Sequence, residues 1–436
     1  MKVLLDIVAR HRSGQAVGIP SICSAHPVVL DAALIHARES ARPVLIEATS
    51  NQVNQFGGYT GMRPADFHAF VMAKADQAGL ARELVLLGGD HLGPNCWQDE
   101  SAASAMAKAD VLIDDYVAAG FRKIHLDCSM ACADDAPVLP DAEVAERAAR
   151  LCAVAERAWQ RSGGEAPVYI VGTEVPVPGG AKEELDELEV TRPEAMAATV
   201  EAHRKAFVEH GLEDAWQRVV GLVVQPGVEF DHHDVVDFRP EKARALSATI
   251  EKFPGLIYEA HSTDYQTPDA LAALVRGHFA ILKVGPGVTY ALRETLWALS
   301  FIEDEILAAA TRSDLRNVVL DVMHAEPNYW NKYYTDANRL TLDMQYSLSD
   351  RVRYYWAHPK IQDACAALLR NLGDISPTGA LPLALLGQYL PRQYDDVRAG
   401  RLTNSATSLL RAGVTYVLRQ YAQACAQQLC ATSSEK

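Results

Sequence analysis

The amino-acid sequence predicts an α/β protein, a (β/α)8 TIM barrel with a C-terminal helical extension. Short runs rich in apolar and β-branched residues occur eight times, and the stretches between them are rich in Ala, Leu, Glu and Arg at helical period. The spacing between successive runs leaves room for the crossover helix that parallel strands need. Eight such alternations favour a closed parallel barrel, and a doubly wound open sheet is the weaker alternative.

The predicted strands all lie within residues 1–300, which we assign to the barrel. The stretch 301–436 contains aromatic clusters and two amphipathic runs, at 364–372 and 405–430. It is therefore predicted to be a helical extension that caps the barrel mouth or forms an interface. In chain order the predicted strands are 18–23, 43–47, 84–89, 123–128, 168–174, 220–225, 255–260 and 279–284.

Composition and charge narrow the functional classes. With 49% hydrophobic and 22% charged residues the chain has a globular composition, and its longest apolar runs stop short of the roughly 20 residues that span a membrane. A net charge of -15 opposes binding to nucleic-acid backbones and anionic membranes. The 8 cysteines form no paired CxxC framework, which is typical of reduced thiols. We expect a cytoplasmic protein without nucleic-acid or membrane partners.

Polar residues stand where the predicted strands end, which is where the active site of a (β/α)8 barrel lies. Imidazole nitrogens, together with carboxylate and amide oxygens, are the donors that a divalent ion such as zinc binds. One such residue alone is more often a hydrogen-bonded structural group, but four at strand ends favour a metal site. The four predicted metal ligands are His91, Glu174, Gln225 and His261.

Proton transfer and substrate contacts are assigned to other strand-end residues. Asp90 precedes His91, so its carboxylate can face the substrate and act as acid or base; the alternative is that it orients the metal-bound histidine. Glu174 and Asp127 are further catalytic candidates. The predicted substrate contacts are Ser24, His26, Glu47, Asn51 and Lys283.

Glycines and arginines mark two candidate phosphate positions. Gly285 and Gly287 follow the eighth predicted strand, at the corner where barrels commonly hold phosphate, although such glycines are more often ordinary turns. Arg351 and Arg353, in the segment SDRVRYYW, could clamp a distal phosphate if the extension folds over the mouth. A solvated or interface salt bridge is an equally supported alternative for the two arginines.

Several passages carry a family resemblance. They include GIPSICSAHPVVLDAAL, LLGGDHLGPNCWQ, KIHLDCSM, YIVGTEVPVPGG, YEAHSTDYQ and LKVGPGVTYALRE. Through them the chain resembles, over essentially its whole length, the Z-type subunits of class II D-tagatose-1,6-bisphosphate aldolase. Members of this family are usually described as accessory to a catalytic Y-type subunit, and some relatives catalyse ketose 4-epimerisation. The resemblance therefore implies carbon–carbon bond chemistry on a tagatose-type ketose phosphate.

The class II aldolase pattern is transferred residue by residue. Its Asp-His pair after strand 3, a proton-transfer residue followed by a metal ligand, falls on Asp90 and His91. Its carboxylate ahead of a Gly-Gly pair falls on Glu174, ahead of Gly179-Gly180. The resemblance thus implies that Asp90 keeps the proton-transfer role and that His91 keeps the role of metal ligand.

Three positions depart from that pattern. The histidine after strand 6 is absent, which leaves Gln225 as the nearest residue able to bind a metal. The histidine that closes strand 7 is shifted by one, onto His261. The Asn-containing loop after strand 8 is replaced by Gly285-Pro286-Gly287. A changed ligand set and a rebuilt loop argue against ordinary bisphosphate aldolase activity.

The functional hypothesis is an enzyme acting on tagatose 6-phosphate or tagatose 1,6-bisphosphate. The predicted reaction is C4 epimerisation to the fructose phosphate by retro-aldol and aldol steps. The expected cofactor is a divalent metal, zinc first, with manganese, nickel or cobalt as alternatives. The alternative function is a non-catalytic subunit that stabilises a Y-type aldolase subunit, and self-association is expected in either case. A kinase is not supported, because the sequence contains no GxxxxGK[ST] loop.

Overall fold

The computed structural model describes residues 1–174, 188–373 and 378–426. Within them, eight parallel strands close into a barrel, in which the last strand pairs with the first. The predicted (β/α)8 fold is therefore confirmed. The barrel strands are β1 (Ile19–Ile22), β2 (Val44–Thr49), β3 (Val85–Leu92), β4 (Lys123–Leu126), β5 (Val168–Gly172), β6 (Val219–Val223), β9 (Ile257–Ala260) and β10 (Phe279–Val284). An antiparallel hairpin of β7 (Glu229–Phe230) and β8 (Val235–Val236) lies between β6 and β9.

Helices surround the barrel and form the extension. Proline stands at the start of α2, α3, α6, α8, α9 and α10, where its fixed φ suits a helix and its missing N–H is not needed. Across the described ranges, none of the helices has the length and hydropathy of a membrane span. The helices are α1 (Lys2–Arg12), α2 (Pro27–Ser40), α3 (Pro64–Ala78), α4 (Ala102–Ala118), α5 (Asp141–Ser162), α6 (Pro193–Glu209), α7 (Glu213–Trp216), α8 (Pro240–Ile250), α9 (Pro268–Arg276), α10 (Pro286–Ile306), α11 (Leu315–Ala325), α12 (Leu340–Tyr346), α13 (Pro359–Gly373), α14 (Leu383–Tyr389), α15 (Pro391–Arg398) and α16 (Ala406–Ala424).

Six strands end elsewhere than the sequence predicts, and the differences in β2, β3, β5 and β6 matter for the site. β2 continues to Thr49, so Glu47 lies inside the strand, and β3 continues past Asp90 to Leu92. β5 and β6 end earlier than predicted, so Glu174 and Gln225 follow them in loops. An apolar run identifies a buried strand, but it does not fix the residue at which pairing stops.

The barrel interior is arranged in layers along the strands. Its floor is an apolar cluster that includes Leu45 of β2 and Ile257 of β9, and Leu4 of α1 packs against it from below. Because side chains alternate along a strand, the residue two positions after each floor residue also faces inward. In β2 and β9 these residues are Glu47 and Glu259. The layer above the floor is therefore charged.

The predicted extension contributes to the outer ring of the barrel. Its last helix, α16, packs against α2, α9, α10 and β1. Beside it, the Gly18 N–H donates to the Cys425 carbonyl at 3.0 Å. The predicted boundary at residue 300 falls inside α10, so the division into a barrel over 1–300 and an extension over 301–436 stays a prediction.

A buried ion pair connects α10 to the segment that follows α12. Arg293, which is 1% exposed, donates from Nε to Asp350 Oδ1 at 2.7 Å, and Thr289 Oγ1 donates to Asp350 Oδ2 at 2.7 Å. The Arg293 guanidinium also lies 4.3 Å from the centroid of the Tyr290 ring. Removing one partner of such a pair leaves the other charge buried without compensation.

Replacement of Arg293 tests how much its ion pair with Asp350 contributes to the stability of the protein. We expect Arg293→Leu to lower the free energy of unfolding by about 3–5 kcal/mol, because Asp350 stays buried and loses its counter-charge. Urea titration followed by circular dichroism measures the change. The control is Arg244→Leu, an exposed arginine on α8, which should shift stability by no more than about 0.5 kcal/mol. Equal urea midpoints for the two variants would contradict the expectation.

Candidate active site

Four buried charged side chains form a layer inside the barrel, directly above its apolar floor. Lys123 Nζ lies 2.5 Å from Glu47 Oε1 and 2.6 Å from Glu259 Oε2. Lys283 Nζ also pairs with Glu47, and it lies 3.7 Å from Glu259 Oε1. A Cβ at Gly88 of β3 would lie 2.9 Å from the Glu47 side chain, so glycine is needed there to make room for the carboxylate. We call these four side chains the ionic layer.

Asp90 joins the ionic layer to the cavity at the barrel mouth. Its Oδ1 accepts a hydrogen bond from Lys283 Nζ at 2.8 Å and lies 2.9 Å from His125 Nδ1. Its Oδ2 lies 3.7 Å from both His91 Nε2 and Cys23 Sγ, two residues that line the cavity with it. Burial alone would raise the pKa of Asp90, but His91 and Lys283 outweigh it and hold the pKa well below its usual range. The carboxylate is therefore ionised.

Three imidazole rings converge at the carboxyl ends of β3, β4 and β9. The ring centroids of His91, His125 and His261 are 4.9 to 5.3 Å apart. One nitrogen of each ring contacts a carboxylate, which orients the ring. The pairs are His91 Nδ1 with Asp127 Oδ2 at 2.7 Å, His125 Nδ1 with Asp90 Oδ1 at 2.9 Å, and His261 Nε2 with Glu259 Oε1 at 3.0 Å.

This arrangement fits a divalent metal ion. A metal-bound imidazole ordinarily gives its second N–H to a carboxylate, and each of these rings has a carboxylate oxygen within 3.0 Å of one nitrogen, although His125 Nδ1 also accepts from the His91 backbone N–H at 3.2 Å. His125 Nε2 is buried and has no hydrogen-bond partner within the described ranges, which a bound ion would supply. Three imidazoles on one tetrahedral zinc ion would hold their centroids roughly 5 Å apart, given a zinc–nitrogen bond of about 2.0 Å. The donor set therefore suits zinc or another ion that prefers nitrogen ligands.

His91 combines an unusual backbone with a raised pKa. Its φ is +48°, in the left-handed region that side chains with a Cβ rarely adopt and that clusters at functional sites. Burial opposes protonation of the ring, but Asp90 and Asp127 outweigh it and raise the pKa of His91. In contrast, burial lowers the pKa of His261 to about 4 despite its bond to Glu259. At neutral pH His261 is thus a neutral ring able to bind a metal.

Asp127, a predicted catalytic residue, lies behind His91. Its Oδ2 bonds to the His91 ring, and its Oδ1 accepts from the backbone N–H and the hydroxyl of Ser129 at 3.1 and 2.7 Å. Asp127 is 1% exposed and is not among the residues lining the cavity in the described part of the chain. The structure thus places Asp127 behind His91, where it can orient the ring, and its catalytic role stays a prediction.

The corner after β10 is filled by a carboxylate of the protein itself. Gly285 and Gly287 donate their N–H groups to Asp264 Oδ1 at 2.9 and 2.7 Å. Asp264 is 3% exposed and lines the cavity. Burial raises its pKa to about 6, although the two amides and Arg353 act in the opposite direction. The predicted phosphate-binding glycines do lie at the cavity, but their amides already have an anionic acceptor.

Two predicted metal ligands do not join the three imidazoles. Gln225 Oε1 accepts from the N–H groups of Gly227 and Val228 at 2.8 and 3.0 Å and so closes a turn after β6. Glu174 is exposed, and its carboxylate accepts from the hydroxyl of Thr191. Both residues lie beyond strands that end earlier than predicted. Their roles as ligands, and that of Glu174 in catalysis, stay predictions; the Gly179-Gly180 pair lies outside the described residues.

The predicted substrate contacts divide between the cavity and its surroundings. Lys283 and Asn51 line the cavity. Glu47 lies below it in the ionic layer, because β2 is longer than predicted. Ser24 and His26 line a neighbouring, mostly apolar cavity of about 340 Å³ between the barrel and the extension. There the His26 ring caps α2, and burial lowers its pKa to about 3.

The predicted arginine clamp lies where the extension folds over the mouth. Arg353 lines the cavity, and its Nη2 donates to Tyr354 Oη at 3.0 Å. Arg351 lines an adjoining polar cavity of about 500 Å³ that shares Asn51 and Tyr354 with the first. Its Nε donates to the Tyr329 carbonyl at 2.6 Å, whereas its buried Nη1 has no hydrogen-bond partner among the residues that the structure describes.

His125 and Asp264 are site residues that the sequence interpretation missed. Along β4, Lys123, His125 and Asp127 alternate with apolar residues. Because alternate residues of a strand share a face, this pattern suffices to place His125 beside Asp127. Asp264 carries no comparable signal, because it reaches Gly285 only through the conformation of the loop after β9.

The fold and the site together define a class, the (β/α)8-barrel proteins whose polar site lies at the carboxyl ends of the strands. Within this class the chain belongs to the GatZ/KbaZ-like family of D-tagatose-1,6-bisphosphate aldolase subunits, whose sequence model matches residues 4–426. The family resemblance read from the sequence is therefore confirmed.

Solved structures similar to this chain range from close to distant. A probable tagatose 6 phosphate kinase from Sinorhizobium meliloti 1021 is 50% identical with a TM-score of 0.86, and the match covers 94% of this chain and 100% of that one. A putative fructose-1,6-biphosphate aldolase from Coccidioides immitis is 14% identical with a TM-score of 0.41, covering 84% and 98% of the two chains. The YdjI aldolase from Escherichia coli K12 is 13% identical with a TM-score of 0.40, covering 83% and 95%. The similarity to these last two structures is too low to indicate a function for this chain.

Asp264 gives a prediction about stability. Its pKa rises from 3.8 to about 6 in the folded chain, so between these values the folded state binds the proton more tightly than the unfolded state. Stability is therefore lost as pH rises through this window, by up to about 3 kcal/mol. Asp264→Asn keeps an oxygen for the two amides and does not titrate. We expect this variant to unfold at a higher temperature than the parent at pH 8, and the difference should be about half as large at pH 5, which lies midway through the window.

The matched control is Asp269→Asn, an exposed aspartate in the first turn of α9. Its difference in unfolding temperature from the parent should not change between pH 5 and pH 8. A constant difference for Asp264→Asn as well would show that the buried carboxyl does not titrate in this range.

Proposed function

We propose that this protein is a metal-dependent enzyme that interconverts tagatose 6-phosphate and fructose 6-phosphate at carbon 4 by retro-aldol and aldol steps. The observation that carries the proposal is the cluster of three imidazoles with the ionised Asp90 at one cavity, which Asp90, His91 and His261 line and beneath which His125 is buried. Burying so many ionisable groups is costly, and perturbed pKa values in a cavity are typical of functional sites. Membership of an aldolase-subunit family supports a ketose phosphate as the substrate class.

In this proposal His91, His125 and His261 hold the metal, which is zinc or, alternatively, manganese, nickel or cobalt. When bound, the ion would supply positive charge beside the carbonyl and the adjacent hydroxyl of the ketose. The carboxylate beside each ring orients it; at His91, whose pKa Asp90 and Asp127 raise, a bound ion would displace the ring proton. Among the described residues, donor atoms of Asp90, His125, Glu259 and His261 lie within 4.8 Å of one another, and the His91 ring lies beside this group.

Asp90 is the proposed base. Its Oδ2 accepts the proton of the C4 hydroxyl, the C4 oxygen becomes an aldehyde carbonyl, and the C3–C4 bond breaks with its electron pair moving onto the C2 oxygen. The aldehyde then turns its other face to C3, the bond forms again, and Asp90 returns the proton to the new hydroxyl. Atoms and electrons balance without an oxidant or a reductant.

Lys283 supports this step as a fixed cation. Burial would lower its pKa, but Asp90, Cys23 and Glu47 outweigh it and hold the pKa well above the usual value. A protonated amine cannot attack a carbonyl, so Lys283 does not form a Schiff base. Its charge keeps Asp90 ionised before the reaction and stabilises negative charge on the substrate during it.

The phosphate of the substrate is assigned to the polar cavity beside the mouth. Arg351 lines this cavity with the amide side chains of Asn51, Asn54 and Asn95. A guanidinium with an unpaired buried nitrogen is suited to a phosphate, which offers several acceptor oxygens. The two cavities share Asn51, so one ketose phosphate can reach from the imidazoles to Arg351.

The alternative function is a non-catalytic subunit of a tagatose-bisphosphate aldolase. The observation that favours it is the family itself, whose members are described as aldolase subunits. In that role the chain would bind and stabilise a Y-type catalytic subunit, and it would also self-associate. The imidazole cluster would then be dispensable, which separates the two functions experimentally.

Activity of the isolated protein tests the first function. Incubated with zinc and tagatose 6-phosphate, the parent protein should form fructose 6-phosphate, followed by NMR. We expect Asp90→Asn to lower kcat about 10²–10⁴-fold, because proton transfer from the C4 hydroxyl is lost. His91→Ala and His125→Ala should abolish metal-dependent turnover, and Asp269→Asn should behave as the parent.

The same variants decide between the two functions. If the metal-loaded parent protein converts neither tagatose 6-phosphate nor tagatose 1,6-bisphosphate, and His91→Ala still stabilises a Y-type aldolase normally, the enzymatic function is wrong. Release of triose phosphates from the bisphosphate, without epimer, would instead identify an aldolase.

Metal binding gives a readout that does not depend on turnover. We expect about one zinc ion per chain, and we expect Asp127→Ala to weaken zinc binding about 10–100-fold, because the His91 ring loses the carboxylate that orients it. Competition with a chromogenic chelator measures the affinity. Ser129→Ala is the matched control, because it removes a different partner of Asp127 and leaves the contact with His91 intact. Equal zinc affinity for both variants would contradict the positioning role.

A further inference from the structure

The corner between the loops after β9 and β10 is built to receive an anion, and the protein fills it with Asp264. Barrels commonly bind a substrate phosphate here, where the free N–H groups of a helix amino terminus meet the cavity. In this chain those donors are Gly285 and Gly287 at the start of α10. Both are bonded to Asp264 Oδ1. A Cβ at Gly287 would lie 3.1 Å from that oxygen, so the glycine makes room for the resident carboxylate.

The loop that carries Asp264 is held on both sides. Thr263 Oγ1 donates to the Lys283 carbonyl at 2.6 Å, and the Thr263 carbonyl accepts from Tyr421 Oη at 2.7 Å. Tyr265 Oη donates to the Leu348 carbonyl at 2.6 Å. Ser262 and Tyr265 have φ values of +52° and +65°, a strained backbone that only well-determined surroundings maintain. Asp264 is therefore fixed at the corner and does not swing aside as an exposed side chain would.

The described residues around Asp264 include a second carboxyl group, that of Glu229, and a guanidinium that is already hydrogen-bonded, that of Arg353. Glu229 is buried nearby, and its pKa is raised to about 7 by burial, with Asp264 and Asp231 contributing. Arg353 is the guanidinium among the described residues lining the cavity. Its Nη1 and Nη2 already donate to the Asp350 carbonyl and to Tyr354 Oη, at 3.1 and 3.0 Å. A phosphate placed here would face the Asp264 carboxylate at the cavity wall.

We propose that Asp264 is a specificity-determining residue that excludes phosphate from this corner, so that the substrate places a hydroxyl group there and carries its phosphate only at the Arg351 end. Both amides bond to Oδ1, which leaves Oδ2 to accept a hydrogen bond from that hydroxyl. The substrate class is then a ketose monophosphate and not a bisphosphate. This inference rests on the proposed function and adds to it the residue that makes the site select the monophosphate.

Binding of unreactive analogues tests the inference separately from catalysis. The probes are hexitol 6-phosphate and hexitol 1,6-bisphosphate, prepared by reducing the corresponding ketose phosphates, and calorimetry measures their Kd. We expect the parent protein to bind the monophosphate at least about tenfold more tightly than the bisphosphate, because like charges meet at the corner. Asp264→Ala should reverse this preference, because it frees two amides for the second phosphate.

Two further variants guard against misfolding and nonspecific charge effects. If Asp264→Ala fails to fold, Asp264→Asn serves in its place, because it keeps the acceptor for the amides without the charge. It should bring the two Kd values closer together. Asp269→Asn makes the same charge change on the surface and should leave the ratio unchanged. Equal or tighter binding of the bisphosphate by the parent protein, or an unchanged ratio in both Asp264 variants, overturns the inference while leaving epimerisation of either ketose possible. Failure of both hexitols to bind would contradict the sugar-phosphate site itself and this inference with it.

Discussion

The site at the barrel mouth depends on two ammonium groups buried inside the barrel, those of Lys123 and Lys283. They pair with the side chains of Glu47, Glu259 and Asp90, and although burial raises the pKa values of Glu259 and Asp90, these cations help to hold both well below their usual range. A buried carboxyl group without such a partner takes up a proton, because desolvation penalises its charged form. An ionised carboxylate can only accept, so it orients a histidine ring that donates to it. The lysines below therefore influence His125 and His261, which contact Asp90 and Glu259.

The packing of the barrel strengthens that arrangement. The apolar floor and α1 close the lower end of the barrel, so the ionic layer has hydrocarbon beneath it and the cavity above. Electrostatic interactions are stronger in such surroundings than in water. The cost is that each charge depends on its partners, since an apolar core of the same volume would be at least as stable. A layer of this kind is consistent with selection for a site and not for stability alone.

The sequence predicts much of this architecture because the relevant signals are local. The eight strands follow from apolar runs, and Asp90, His91, His261 and Lys283 follow from their positions at strand ends; the structure brings these four together. Gln225 and Glu174 could not be placed in the same way, because the apolar runs before them continue past the last paired residue. The alternation of polar and apolar residues along β4 points to His125, provided that each strand is examined for the residues that face inward. The bond between Asp264 and the α10 amides depends on left-handed backbone at Ser262 and Tyr265, which no sequence pattern indicates.

The place of α16 in the outer ring has a consequence for how the protein is made. This helix covers β1 and the helices α2 and α9, which lie far earlier in the chain. During synthesis the ribosome releases all eight strands before α16 exists, and at ordinary elongation rates the interval is on the order of ten seconds. Throughout that time the seam where the first and last strands meet has apolar surface exposed to solvent. Newly made chains are therefore most prone to aggregate at this stage, and holding chaperones would act on that seam.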